Sequence, residues 1–460
     1  MDDDAEAITF GTDGWRAPLE EFTDERVRMV GQAVAEYVGD GTVAVGYDAR
    51  ESSPRFAESL AAVLAGNGVD ALVSEADCPT PVLAWTIADR DLAGGLMVTA
   101  SHNPPEYNGV KFLPPTGAPA MPEVTDALEA RLGPPRQAPE GERGTVGEDT
   151  FTPAYCQHAL AFTGADLEGL RVAYDAMHGS GKGVTDALLA EAGATVERLR
   201  CDPDPAFGGV GPEPSAERLA DLVARVTEGD ADLGLANDGD ADRLAVVTPE
   251  RGYLDPNLLL AVLYDYLLGS GAGPAVRTVS TTFLIDRVAE AHGERAVETP
   301  VGFKHVASAM REHGALVGGE ESGGFGVTDH LPNKDGVALA LLVAAAHAER
   351  PLDDRADAIT ERFGTIHQDR LSVDCPEGRK APALAALGEA LPAEIAGVAV
   401  ESVNEADGFK TLLSDGSWLL VRPSGTEPKL RVYAEAGSDE RVAELLAAGR
   451  ELVEPLVQGS

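Results

Sequence analysis

Residues 97–112 read MVTASHNPPEYNGVKF. An apolar run closes on Thr99-Ala-Ser-His-Asn, two prolines follow, and the apolar pattern resumes only after Asn108-Gly109. Loops after the carboxyl ends of strands are where α/β proteins place their chemistry. Upstream, TVAVGY at 42–47 is another short apolar run. Asp48-Ala-Arg-Glu-Ser-Ser-Pro then leads into RFAESLAAVLAGNGVD, whose apolar spacing predicts a helix ended at Gly66 or Gly68. ALVSEAD begins a further strand and GLMVTA, at 95–100, another. Strands alternating with helices over this distance predict a parallel or mixed sheet.

The rhythm recurs downstream. LRVAYDAMHGSGKG reads as a strand running into a glycine-rich loop, VTDALLAEAGATVERL as a helix and the next strand, and ADLGLANDGDADRLAVVTPE (231–250) as strand, polar loop, strand. Past Arg251-Gly252, LDPNLLLAVLYDYLL predicts a helix, AVRTVSTT a strand and FLIDRVAEAHG a helix; GALVGGEESGGFG and a helix at 335–348 complete a third unit. Residues 134–150, PPRQAPEGERGTVGEDT, are rich in Pro, Gly and charge and read as a boundary or surface linker. From 370 onward several adjacent strands are joined by polar turns, which fits an antiparallel α+β domain better than another doubly wound unit. A chain of 460 residues exceeds one hydrophobic core. The expected division is 1–150, 151–251 and 252–369, each α/β, with 370–460 as α+β.

Seventy-seven acidic residues against 36 basic ones give a formal charge of −41, which disfavours a nucleic acid or an anionic membrane as partner. Only seven of the basic residues are lysines. Such a composition resembles proteins that work in molar intracellular salt, where the Debye length shrinks to about 3 Å and acid–acid repulsion is screened; a halophilic archaeal source and a salt requirement are expected. MDDDAE puts acid where a signal peptide needs base, and the longest apolar stretches are too short to span a bilayer, so a cytoplasmic location is expected. Cys78, Cys156, Cys201 and Cys375 form no C-x-x-C pair and read as buried thiols.

Four loops can carry chemistry. NDGDADR sets Asp238, Asp240 and Asp242 at alternating positions between apolar runs; the three carboxylates read either as ligands of a hard divalent cation, Mg²⁺ before Ca²⁺, or as an acidic solvated turn. Ser101 reads as a turn or cap residue, or as a phosphate carrier whose oxygens complete that cation site; it is no G-x-S-x-G nucleophile. In VRPSGTEPKLRV, Arg422 can grip a phosphate bidentately while Ser424, Gly425 and Thr426 supply donors, or the segment is an ordinary hairpin. In GGEESGGFG, Glu320 and Ser322 can hydrogen-bond vicinal hydroxyls, or the segment is simply a flexible loop. Arg16 in FGTDGWRA and Lys304-His305 in PVGFKH are lone basic signals.

Taken together, FGTDGWRA, TASHNPPEYNGVKF, NDGDADR, GGEESGGFG and RPSGTEPKLR, in this order over nearly the whole chain, resemble the α-D-phosphohexomutase family. The resemblance implies three α/β domains with mixed sheets and a C-terminal α+β domain around a central cleft. It implies Ser101 as phosphoserine and Asp238, Asp240 and Asp242, with the Ser101 phosphoryl group, as ligands of one Mg²⁺. His102, Lys111, Arg16 and Arg243 are implied beside the phosphoserine, with either Lys111 or His102 as general base. Lys304, His305, Glu320 and Ser322 are implied at the sugar. Arg422, Ser424, Gly425, Thr426 and Arg431 are implied at the phosphate that is not being transferred. The implied reaction interconverts glucose 1-phosphate and glucose 6-phosphate, with glucose 1,6-bisphosphate as activator and intermediate. Many mannose- and glucosamine-type relatives resemble G-G-E-x-S-G-H, whereas this chain has Gly324 in the last place, which leans toward phosphoglucomutase. Phosphomannomutase, phosphoglucosamine mutase, a phosphatase and a non-enzymatic sugar-phosphate sensor are the rival readings, and the oligomeric state, monomer or dimer, is open.

Overall fold

The computed structural model describes residues 2–458 apart from Thr12 and Thr426. Four sheets follow one another along the chain. In the first, Thr42–Tyr47 lies between Asp70–Ser74 and Gly94–Val98, all parallel, and Tyr107–Leu113 returns antiparallel beside Gly94–Val98. The second repeats this plan: Arg171–Asp175 lies between Thr195–Leu199 and Leu233–Asn237, and Leu244–Thr248 returns antiparallel. So does the third, with Ala275–Thr278 between Ala296–Thr299 and Val317–Gly319, and Phe325–Val327 returning. In each unit the segment between the third parallel strand and its antiparallel return holds the chemistry-bearing motif: TASHNPPE, DGDADR and EESGG. The fourth sheet, whose long strands include His367–Asp374, Lys429–Ala436, Trp418–Pro423, Phe409–Leu413 and Val398–Asn404, is antiparallel throughout.

Among the short strands that lie where none was expected, two form the edges of the first sheet. Val146–Asp149 sits inside the predicted linker and extends the first sheet by pairing parallel to Asp70–Ser74. It is largely exposed, so it carries no apolar alternation to read. Trp15–Pro18 forms the other edge and brings Arg16 opposite Gly109.

The first three units all contribute to one apolar cluster, while the first keeps a second core of its own around Val43, Phe56 and Leu96. Met97, Tyr155, Leu235, Leu260, Val317 and Leu341 belong to a single buried apolar cluster. Its axis is the helix Gly336–Glu349, GVALALLVAAAHAE, which is apolar on every face and accordingly buried on nearly every face. The fourth unit has its own core around Leu419, Val432 and Leu445. It meets the third through a small cluster, Val279 with Trp418, Leu420 and Tyr433, and through ion pairs such as Lys410 Nζ to Glu298 Oε2 at 2.7 Å. The four cysteines are free, and among the described residues no helix is long and apolar enough to cross a membrane.

Candidate active site

The first site loop begins where the buried strand Gly94–Val98 ends. Ser101 takes a left-handed backbone conformation, φ +52°, that L-residues seldom adopt. Its N–H donates to Thr99 Oγ1 at 2.8 Å, and its carbonyl accepts from Arg50 Nη2 at 2.8 Å. The turn aims the side chain at the second unit, where Ser101 Oγ donates to Asp238 Oδ2 at 2.7 Å; His102 Nδ1 lies 3.3 Å from the same hydroxyl.

The second loop is pressed against the first. A Cβ at Gly239 would lie 2.5 Å from the Ser101 carbonyl oxygen, so only glycine lets the backbones approach this closely. Asp238, Asp240 and Asp242 are buried and offer ligand oxygens all within 4.8 Å of one another. Asp240 Oδ2 accepts from Thr80 Oγ1 at 2.6 Å and from Lys111 Nζ at 2.8 Å. Asp242 Oδ2 lies 3.1 Å from Lys111 Nζ and 2.9 Å from Lys334 Nζ. The other oxygens, Asp240 Oδ1 and Asp242 Oδ1, are buried with no hydrogen-bond partner. Burying unpaired carboxylate oxygens is costly, so three hard oxygen donors with two orphaned atoms fit Mg²⁺. Burial, together with Asp240 and Asp242, pushes the Asp238 carboxyl up to about 8.

Positive charge surrounds this centre. Burial would lower Lys111, but Asp13, Asp240 and Asp242 outweigh it and hold the amine well above its ordinary value, as an ammonium. Burial likewise favours a neutral Asp240, yet Lys111 keeps it ionised below the usual carboxylate range. His102 is driven well below the ordinary imidazole value by burial and by Arg243 and Arg16, and so is neutral. Arg243 Nε stands 4.0 Å from both Asp238 and Asp242. Arg16 Nη1 donates to Asn103 Oδ1 at 3.2 Å. Lys334 reaches this cluster across Gly324: a Cβ at 324 would lie 2.6 Å from Lys334 Cδ. The missing side chain at 324 is therefore the space that the lysine stem occupies.

A cleft of about 1030 Å³ lies beside this centre. Arg16, His102, Arg243, Lys304, Glu320, Ser322, Arg422, Gly425 and Arg431 all line it; Ser101, Lys111, Asp238, Asp240, Asp242, His305 and Ser424 are not among its lining residues, and the Ser101–aspartate centre lies next to it through His102 and Arg243. Glu320 Oε1 accepts from Gly302 N at 3.0 Å, and burial pushes its carboxyl up to about 7 against the pull of Lys334 and Arg243. Arg422 and Arg431 stand directly opposite each other on antiparallel strands. Like charges in that register are unfavourable unless something anionic lies between or beside them. Asp407 Oδ2 accepts from Arg422 Nε at 2.8 Å and also from Val301 N at 3.1 Å, tying the loop to the third unit; Glu427 Oε2 holds Arg431 Nη2 at 2.9 Å. Ser424 turns inward, with its N–H donating to Lys429 O at 2.9 Å and its Oγ accepting from Glu427 N at 3.2 Å. Thr426 lies outside the described residues.

Sequence reasoning missed Asp13, Asp48, Arg50, Thr80, Lys334 and Asp407. Asp13 stands inside the quoted FGTDGWRA, and Asp48 and Arg50 follow a strand end. Those placements were the available signal, and each is an ordinary polar residue in an acid-rich chain.

The phosphoglucomutase/phosphomannomutase family matches in four parts: alpha/beta/alpha domain I over residues 7–139, domain II over 153–252, domain III over 255–363 and the C-terminal domain over 371–452. A Methanopyrus kandleri protein named probable phosphoglucosamine mutase is 37% identical, with 95% of each chain covered. A Thermococcus kodakarensis protein named phosphopentomutase is 35% identical, with 98% of each chain covered. A solved structure from Thermus thermophilus that carries the name phosphomannomutase is 33% identical, covers 98% of this chain and 99% of its own, and superposes with a TM-score of 0.85.

Proposed function

The chain belongs to the phosphoglucomutase/phosphomannomutase family of α-D-phosphohexomutases, Mg-dependent phosphotransferases, and we propose that its reaction is the interconversion of glucose 1-phosphate and glucose 6-phosphate through a phosphoserine at Ser101. The observation that carries this reading is the Ser101 hydroxyl, 2.7 Å from Asp238 within the three-aspartate cluster and 3.3 Å from His102, which lines the same cleft as the Arg422–Arg431 pair.

Phosphorylated Ser101 gives its phosphoryl group to a hydroxyl of the bound monophosphate, producing glucose 1,6-bisphosphate. The bisphosphate turns over in the cleft and returns its other phosphoryl group to the Ser101 hydroxyl. In that return step neutral His102, with Nδ1 3.3 Å from Oγ, is placed to take the serine proton. Lys111 and Arg243 hold positive charge against the phosphoryl oxygens. Mg²⁺ held by Asp238, Asp240 and Asp242 would offset charge on the transferring group. Glu320 and Ser322 orient sugar hydroxyls, Lys304 adds charge at that wall, and Arg422, Gly425 and Arg431 hold the phosphate that stays behind. The fourth unit keeps a core separate from the other three, which supports its moving as a body to open the cleft for exchange and close it against water.

Glucose is favoured over mannose or glucosamine by Gly324 with Lys334 in its space, where the resemblance places an imidazole in mannose- and glucosamine-type relatives. The relative named probable phosphoglucosamine mutase favours the amino sugar instead. Comparing kcat/KM for glucose 1-phosphate, mannose 1-phosphate and glucosamine 1-phosphate, in high salt with Mg²⁺ and a trace of glucose 1,6-bisphosphate, separates them. The highest value for glucose 1-phosphate is expected; a higher value for either rival reassigns the substrate.

A further inference from the structure

Arg50 follows the strand Thr42–Tyr47 and is 2% exposed. Its guanidinium donates from Nη2 to Ser101 O at 2.8 Å and Asn103 O at 2.7 Å, and from Nη1 to Pro104 O at 2.7 Å and Tyr107 O at 3.1 Å; Nε donates to Asp48 Oδ2 at 3.0 Å. All five donors of the fork are engaged, four of them on main-chain carbonyls of the loop that presents Ser101. Asp48 also accepts from Ser53 Oγ at 2.6 Å and from Thr99 Oγ1 at 2.7 Å, and the Thr99 hydroxyl is the group that accepts the Ser101 N–H. Both main-chain groups of the left-handed Ser101 thus trace back to one buried ion pair. From the second unit, the buried Phe207 ring lies 5.0 Å from Arg50 Cζ, and Gly211 packs so closely that a Cβ there would lie 2.7 Å from His102 O.

We propose that Arg50, anchored by Asp48 and covered by Phe207, is a positioning residue for phosphoryl transfer: it fixes the strained Ser101 turn so that Oγ stays against the aspartate cluster. The proposal rests on the reading of Ser101 as the phosphoryl carrier. A planar fork meeting four carbonyls is a task for arginine alone; lysine keeps the charge but not the geometry. Misplacing a reacting atom by about 1 Å costs on the order of 10²-fold in rate. The residues that hold the sugar and the distal phosphate lie on other elements, so their grip is unaffected.

The test uses the full chain in high salt with Mg²⁺. Arg50→Lys is expected to lower kcat about 100-fold while KM for glucose 1-phosphate changes less than about threefold, and to shift or broaden the ³¹P resonance of the phosphoserine, with near-UV circular dichroism retained. A folded Arg50→Lys protein with wild-type kcat and an unmoved ³¹P resonance overturns the proposal. If that variant does not fold, Phe207→Leu decides: kcat lowered several-fold at unchanged KM supports the proposal, and unchanged kcat overturns it. Ser101→Ala separates the two layers. Undiminished mutase activity in Ser101→Ala removes the phosphoserine reading itself, whereas an inert Ser101→Ala beside a fully active Arg50→Lys removes only the role of Arg50.

Discussion

The Ser101–aspartate centre and the Arg422–Arg431 hairpin solve opposite electrostatic problems. At the first, buried carboxylates and ammonium groups are already interlocked, and what stays open is a pair of orphaned aspartate oxygens, Asp240 Oδ1 and Asp242 Oδ1. At the second, two arginines face each other across a strand pair and are steadied from outside by Asp407 and Glu427. On the proposed reading one takes a cation and the other an anion. In a chain with a formal charge of −41 the cleft lining is balanced, seven basic residues against seven acidic ones, so an anionic ligand would meet far less repulsion there than over the rest of the surface. Damage to the first region should therefore appear in kcat, and damage to the second in KM.

The widest separation is expected from Ser101→Ala, which removes the nucleophile and should lower kcat by at least about 10⁴-fold, with sugar-phosphate binding by calorimetry retained. Asp240→Asn comes next. It withdraws one charge from the cation site and the nearest carboxylate of Lys111, 2.8 Å away, so a kcat loss of roughly 10²- to 10³-fold and weaker Mg²⁺ binding by calorimetry are expected, with KM little changed. Arg422→Lys should invert the pattern: losing the bidentate fork raises KM for glucose 1-phosphate roughly tenfold to a hundredfold and leaves kcat within about threefold. Equal kcat losses for Asp240→Asn and Arg422→Lys would erase the distinction.

On the separate scale of stability, the prediction concerns Glu320, whose carboxyl burial pushes up to about 7. A carboxyl raised on folding contributes most below its unfolded value, near 4.3, and that contribution is lost as pH rises through 7. The wild type should therefore lose up to about 3 kcal/mol relative to Glu320→Gln between those pH values, as read from denaturant unfolding. A flat difference across that range would contradict the burial argument. Both regions should also fail together when salt is dialysed to about 0.05 M, because unscreened acid–acid repulsion acts on the whole surface; circular dichroism that is unchanged there would sink the expected salt requirement.

Much of the site was legible because its chemistry needs certain residues at short spacing. Three aspartates at alternate positions, a serine where a strand stops, and an arginine before Pro-Ser-Gly are all local patterns. What could not be read is which groups meet across long separations in the chain. Lys111 meets Asp240 across 129 residues, Thr80 meets Asp240 across 160, and Lys334 meets Asp13 across 321. Nothing in PNKDG reveals that its lysine threads over Gly324. The fold behaved similarly: the buried strands 94–98 and 233–237 announced themselves by continuous apolar runs, whereas Val146–Asp149, an exposed edge strand among Pro, Gly and charge, did not. The threefold repetition of sheet plan was a rhythm in the sequence and became explicit only through strand pairing.

The most direct trial of the central claim is to incubate the full-length protein with ³²P-labelled glucose 1,6-bisphosphate, map the label by peptide mass spectrometry, and chase with unlabelled glucose 1-phosphate. The account predicts close to one label per chain, on Ser101, which leaves with the sugar at a rate no slower than kcat. Label elsewhere, or label on Ser101 that the chase does not remove while turnover continues, would contradict it.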